Sequence, residues 1–128
     1  MTRTYIITGA GSGIGAATAQ LLRERGENVI GVDLRGAEVE ADLSTREGRV
    51  TAAAKALELA GGTVDAVIAS AGISAPSPLT VKVNYFGVTE FLEQLAPALA
   101  KSSAPRAAVV SSMSRSTFLC WGRDRGRL

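Results

Sequence analysis

The sequence predicts an open α/β sheet of parallel strands, doubly wound with helices on both faces. Three observations carry this expectation. Strand-like and helix-like segments alternate in order along the chain, with no internal repeat or low-complexity stretch between them. Val67, Ile68 and Ala69 lie in a nearly continuous apolar run without strict alternation, the pattern of a strand covered on both faces, as parallel strands are. A glycine-rich run follows the first strand and opens the first helix. With 128 residues, 46% of them hydrophobic, the chain suits one domain with a modest core.

The first strand is read over residues 4–8. An amphipathic helix is expected over 14–25, with Ile14, Ala17, Leu21 and Leu22 on its apolar face and Gly26 as its stop signal. Residues 28–33 read as the second strand and 38–40 as a short third one. Ser44-Thr45-Arg46-Glu47 has capping-box spacing, with the Ser44 hydroxyl accepting from the N3 amide and Glu47 reaching back. The helix it opens should run to about residue 60 through alanine-rich sequence of high helix propensity and end at Gly61-Gly62. Residues 64–70 are the fourth strand. The stretch 73–80, with Pro76 and Pro78, reads as a loop; 81–100 reads as a helix that Pro97 bends or ends, and 107–112 as a fifth strand.

Composition excludes several kinds of chemistry. A single cysteine, Cys120, cannot form an internal disulfide, and the absence of histidine removes the usual imidazole base and most zinc sites, so no metal is expected. No apolar run approaches the roughly 20 residues of a membrane span. The chain enters Tyr5-Ile6-Ile7 without a signal-peptide block, so a cytoplasmic location with no membrane contact is expected. The net charge of +2 is local. Residues 115–128 set Arg115, Arg123, Arg125 and Arg127 against Asp124 alone, and the rest of the chain is slightly acidic. A short basic end is no phosphate-tracking surface, and no nucleic-acid partner is expected.

The informative residues fall at the carboxyl ends of the strands, where open α/β sheets bind ligands. Thr8-Gly9-Ala10-Gly11-Ser12-Gly13-Ile14-Gly15 is a turn whose glycines let main-chain amides approach a pyrophosphate at a helix N-terminus. No Gly-Lys-Ser/Thr follows, which excludes the Walker phosphate loop. Asp33 lies 18 residues after Gly15, close to the spacing at which a carboxylate accepts hydrogen bonds from adenosine ribose hydroxyls. Its charge would repel a 2′-phosphate. NAD is therefore favoured over NADP, with Arg35 near enough to soften the preference.

The run from Thr8 to Gly15 resembles the Thr-Gly-x3-Gly-x-Gly fingerprint of the short-chain dehydrogenase/reductase family. Ala69-Ser70-Ala71-Gly72 resembles that family's Asn-Asn-Ala-Gly element with both asparagines replaced. Asp42-Leu43 resembles its adenine-contacting pair, Val83-Asn84 its helix asparagine, and Val109-Val110-Ser111-Ser112 its active-site serine strand. Residues 36–45 and 83–87 look most similar to the bacterial 3α-hydroxysteroid dehydrogenase/carbonyl reductases. The 12 positions from Gly72 to Asn84 leave little room for the helix most relatives carry there.

The resemblance implies a Rossmann-like fold and hydride transfer between a nicotinamide and a small secondary alcohol or ketone. It places Gly9, Gly11, Ser12, Gly13, Ile14, Gly15, Asp33, Leu34, Asp42, Leu43, Ala71 and Gly72 at the coenzyme. Ser112 would orient the carbonyl, and Asn84 would hold a water of the proton relay.

The family's Tyr-x3-Lys pair has no counterpart after Ser112, since four residues beyond Tyr5 is Gly9 and four beyond Tyr85 is Thr89. The expectation is therefore an NAD-binding half over residues 1–114, truncated after the fifth strand and inactive alone, with a basic irregular tail at 115–128. The tail's abrupt change of composition reads as out-of-frame translation. Ending at the fifth strand would expose a sheet edge, through which copies of the chain would associate or aggregate. Competing readings are a non-enzymatic NAD-binding or interaction module whose tail contacts a partner, and a non-functional piece too unstable to bind.

Overall fold

A computed structural model describes residues 2–112. Five strands form one sheet, β1 (Thr4–Thr8), β2 (Asn28–Asp33), β3 (Val39–Glu40), β4 (Ala66–Ala69) and β5 (Arg106–Val109), in the order β3-β2-β1-β4-β5. Every pairing is parallel, as expected. The chain moves outward from β1 to β3 and then returns to place β4 on the other side of β1. The order therefore reverses between β1 and β4, which opens a crevice at their carboxyl ends.

Helices α1 (Gly13–Glu24), α2 (Arg46–Ala60) and α4 (Gly87–Leu99) cover the sheet. Alternate strand residues point to opposite faces. On one face Ile6, Ile30, Val32 and Val67 pack with Ala52, Ala53 and Ala56 of α2 and Phe91, Leu95 and Ala98 of α4. On the other, Ile7 and Val29 pack against Ala19 of α1. Phe91 and Leu95 are wholly buried, and removing either side chain to Ala would cost about 2–5 kcal/mol.

Several expected boundaries shift. Helix α1 turns a small-residue face to the sheet, Gly15 and Ala19 with Leu22 beside them, and leaves Ile14, Ala17 and Leu21 exposed. Short side chains let the helix axis approach β1, and a larger face would hold it off. Helix α2 is capped by Thr45, whose hydroxyl accepts from the Gly48 amide at 3.0 Å. The cap falls one residue after the expected Ser44, whose amide donates to Asp42 Oδ1 at 2.9 Å and whose hydroxyl is engaged by the same carboxylate. Residue Glu38 leaves the third strand, its carboxylate accepting from the Gly31 amide at 2.9 Å and pairing with Arg23.

The segment expected as a loop contains helix α3 (Pro78–Val81), with Ser77 as N-cap and Pro78 in the first turn, a start that proline favours. A π-helical turn, Lys82–Phe86, joins α3 to α4. Pro97 lies within α4, which continues to Leu99. Strand β4 is shorter than expected. Strand β5 begins one residue early and ends at Val109, so Ser112 stands beyond the ladder, which the Val110 amide extends by one bond to the Ala69 carbonyl at 3.0 Å. Strand β5 is exposed along its length and is the last strand on that side of the sheet among the described residues. The expected tail at 115–128 lies outside the described residues. No helix among the described residues is long and apolar enough to cross a membrane.

Candidate functional site

The turn after β1 is built by close approach. Gly9 has φ +71°, and its amide donates to the Val32 carbonyl at 2.8 Å; a Cβ there would come within 2.8 Å of the Ala71 amide nitrogen. Gly15 faces back onto the same turn, and a Cβ on it would overlap the Gly9 carbonyl oxygen and sit 2.8 Å from Ser70 Oγ. Gly13, at φ +56°, has nothing within 4 Å of where a Cβ would lie. That open space sits at the N-terminus of α1, where Ser12 makes no side-chain cap and the first turn carries no acidic residue. The first-turn amides thus keep their donor capacity, together with the positive end of the helix dipole.

Asp33 is held against this turn. Its Oδ2 accepts from the Gly11 amide at 2.8 Å and its Oδ1 from the Leu34 amide at 2.6 Å. A Cβ on Gly11 would overlap the Arg35 carbonyl oxygen and lie 3.0 Å from Asp33 Oδ2, so the backbone packing here needs glycine. Each carboxylate oxygen retains a further lone pair for a ligand hydroxyl. Ile14 and Leu34 are apolar residues flanking the turn in the chain, 64% and 59% exposed. A cavity of about 370 Å³ lies beside the β2–β3 connection, lined by Ala10, Arg23, Gly36, Ala37 and Glu38, and shares only Ala10 with the glycine run.

Across the crevice, buried Thr8 ties β1 to the end of β4. Its hydroxyl oxygen accepts from the amides of Ser70 and Ala71, both at 3.1 Å, and its carbonyl accepts from Ser70 Oγ at 2.5 Å. Ser70 thus stitches the two strands where the family motif has asparagine. Asn84 is carried on the π-helical turn beside Gly72, whose Cβ position is 3.3 Å from Asn84 Oδ1. Its side chain accepts from the Ile73 amide and donates to the Ile73 carbonyl, both at 2.8 Å. Oδ1 keeps one lone pair and Nδ2 one hydrogen for a further partner.

The crevice therefore gathers the glycine turn, Asp33, Ala71, Gly72 and Asn84. The remaining residues stand differently. Asp42 is exposed, and the Ser44 hydroxyl, followed by the Ser44 amide, holds its carboxyl below the usual carboxylate range. Leu43 is 6% exposed with its side chain in the core, and its carbonyl accepts from Arg49 Nε at 2.9 Å. Ser112 is exposed, three residues past the end of β5. Sequence reasoning read Ser70 only as a replaced motif asparagine and passed over Arg49. Arg49 had a readable signal, since it precedes Ala52, Ala53 and Ala56 at helical spacing and so shares the buried face of α2.

The family model for short chain dehydrogenases matches residues 3–119. This chain belongs to the short-chain dehydrogenase family. It is 42% identical over 112 residues to the 3-alpha-hydroxysteroid dehydrogenase/carbonyl reductase of Comamonas testosteroni, a match covering 85% of this chain and 44% of that protein. It is 37% identical over 99 residues to a coniferyl-alcohol dehydrogenase of a Pseudomonas species, covering 71% and 37%. The crystal structure of the 3-alpha-hydroxysteroid dehydrogenase from Pseudomonas sp. B-0831, complexed with NADH, superposes with a TM-score of 0.84 at 46% identity, over 88% of this chain and 49% of that one. The chain thus spans about half the length of these relatives or less. Short-chain dehydrogenases are oxidoreductases that bind nicotinamide coenzymes.

Proposed function

We propose that residues 1–114 form the NAD-binding half of a short-chain oxidoreductase acting on a secondary alcohol or ketone, with a 3α-hydroxysteroid as the leading substrate class. The single observation that carries this reading is the clamped Asp33 carboxylate. It fixes a negative charge beside a glycine turn whose helix amides are uncapped. The amides after Ser12 suit a diphosphate, and the open space at Gly13 lets it approach. Asp33 suits the adenosine ribose hydroxyls and disfavours a 2′-phosphate, so NAD is preferred to NADP. Asp42, Leu43, Ala71 and Gly72 would bound the adenosine side and the crevice wall, with Leu43 acting through its backbone because its side chain is buried.

A bound nicotinamide coenzyme would supply the acceptor or donor of hydride. Within this chain, Ser112 would orient the substrate carbonyl. Asn84 would fix the Ile73 backbone and, with its two remaining hydrogen-bonding positions, hold a water. A proton-transferring phenol is worth typically 10²–10⁴-fold in rate. No Tyr-x3-Lys follows Ser112 in these 128 residues, so the chain by itself is proposed to bind coenzyme without turning over. The basic stretch 115–128 takes no part in this reading.

Calorimetric titration of the 128-residue chain with NADH and NADPH tests the proposal. NADH should bind, more tightly than NADPH. Asp33→Asn should weaken NADH about tenfold, the scale of a lost charged hydrogen bond, and narrow the difference between the coenzymes. Absence of NADH binding, or tighter NADPH binding, would overturn it. Robust NAD-linked oxidation of a 3α-hydroxysteroid by the same chain would refute the predicted inactivity alone.

A further inference from the structure

Arg49 lies outside every motif discussed so far, yet it is one of few charged residues in the core, 5% exposed. Its guanidinium reaches four acceptors on three segments. Nε donates to the Leu43 carbonyl at 2.9 Å, and Nη2 donates to the Ser44 carbonyl at 3.1 Å and the Lys82 carbonyl at 3.0 Å. Nη1 pairs with Glu90 Oε2 at 2.8 Å. The guanidinium carbon also sits 5.6 Å from the centre of the Phe86 ring.

The acceptors are not equivalent in function. Leu43 and Ser44 belong to the turn after β3, where Asp42 Oδ1 takes the Ser44 amide. Lys82 opens the π-helical turn, and its carbonyl also accepts from the Gly87 amide, the wide bond that defines such a turn. Two residues on, Asn84 clamps Ile73 from both sides. One planar fork therefore joins the adenosine side of the crevice to the residue that sets its opposite wall. A lysine, with a single compact charge, cannot span these acceptors.

We propose that Arg49 is a positioning residue that fixes the Asp42–Ser44 turn and the Asn84–Ile73 clamp as one unit, so that a ligand ordering the first also orders the second. The proposal deepens the coenzyme-site reading above and rests on it for the identity of that ligand. The linkage is a property of the chain's own hydrogen bonds, and it can be measured without any ligand.

Amide hydrogen exchange followed by NMR on the 128-residue chain provides the test. The Ser44 and Ile73 amides report the two ends of the linkage. The amides of Asn28 and Asp65, bonded to Arg3 and Thr4 carbonyls at the far end of the sheet, report openings that leave the Arg49 bonds intact. Arg49→Lys should accelerate exchange at Ser44 and Ile73 together, by about tenfold, with Asn28 and Asp65 unchanged, as a local opening requires. Glu90→Gln, which keeps the three carbonyl acceptors, should move the same two amides together by a smaller factor. That variant decides the matter by the same criterion if Arg49→Lys fails to fold.

Acceleration at Ser44 with Ile73 unmoved, or an equal change at all four amides, would overturn the proposal. In the unsubstituted chain, AMP should slow exchange at Ile73 as well as at Ser44, and in Arg49→Lys it should slow Ser44 alone. If AMP alters neither amide in the unsubstituted chain, the adenosine-site reading fails. The variant comparison still decides the role of Arg49.

Discussion

Gly15→Ala is the sharpest test of how the glycine turn is assembled. In the first turn of a helix this substitution ordinarily gains up to about 1 kcal/mol of helix propensity. Here the new methyl would overlap the Gly9 carbonyl oxygen and crowd Ser70 Oγ, so α1 must move away from β1. Overpacking of this kind costs about 1–3 kcal/mol. The net expectation is a loss of about 1–2 kcal/mol, or roughly 3–5 °C in Tm for each kcal/mol at this chain length. Equilibrium urea unfolding and calorimetry would measure it.

Gly13→Ala is the control, with left-handed backbone to strain, about 1–2 kcal/mol, but no atom within 4 Å to displace. Exchange of the Gly9 amide, which bonds the Val32 carbonyl, should quicken in Gly15→Ala and stay unchanged in Gly13→Ala. Adding Ser70→Ala should recover less than half of the Gly15→Ala loss, because the main obstacle is backbone. A Gly15→Ala chain as stable as the unsubstituted one would refute the close-approach argument.

Other outcomes follow from single contacts. Thr45→Ala should cost about 1 kcal/mol and Ser44→Ala only a few tenths, because Thr45 accepts the Gly48 amide; the reverse order in urea unfolding would restore the capping register read from the sequence. The Ser102 hydroxyl, and then the Thr4 amide, hold the Asp65 carboxyl below the usual range. A depressed folded pKa contributes stability that is present above the unfolded value and lost as pH falls through it. Stability should therefore drop below about pH 4, and Asp65→Asn should flatten that acid limb in a pH series of melting curves. If copies of the chain associate through β5, Val110→Lys, exposed just past that strand, should lower association in sedimentation velocity with little change in Tm; identical association would show that β5 is not the contact.

The sheet and its parallel sense were legible because β1, β2 and β4 are apolar runs separated by helical spacing and glycine stops. The crevice was legible because its glycines are bound to a backbone geometry rather than to a partner. The lost detail has a common cause. Ser44 looked like the cap until a carboxylate two residues earlier claimed its amide, and Glu38 looked like strand until its side chain completed the Gly31 amide and met Arg23. Pattern reading assigns backbone donors to the nearest sequence candidate. Side chains arriving from elsewhere in the fold change that assignment. The same limit hid Arg49, whose acceptors at Lys82 and Glu90 lie more than thirty residues away.

The order in which the crevice is assembled separates the proposed coenzyme-binding elements from Ser112. Its glycine turn, Asp33 and the Ala71 wall all come from the ends of β1, β2 and β4, with β2 and β4 each paired directly to the central β1. Their contacts are deeply buried, with Ile6, Ile7, Val32 and Val67 fully enclosed. Ser112, in contrast, follows β5, which pairs only with β4 among the described residues and whose residues are all exposed. The proposed binding elements thus rest on the buried centre of the described sheet, and the serine proposed to orient the substrate follows an exposed strand. Local opening should begin at the β5 edge and reach the glycine turn last. On the proposed reading, coenzyme binding draws on the ends of β1, β2 and β4 and on the turn after β3, whereas orientation of the substrate carbonyl draws on the segment after β5.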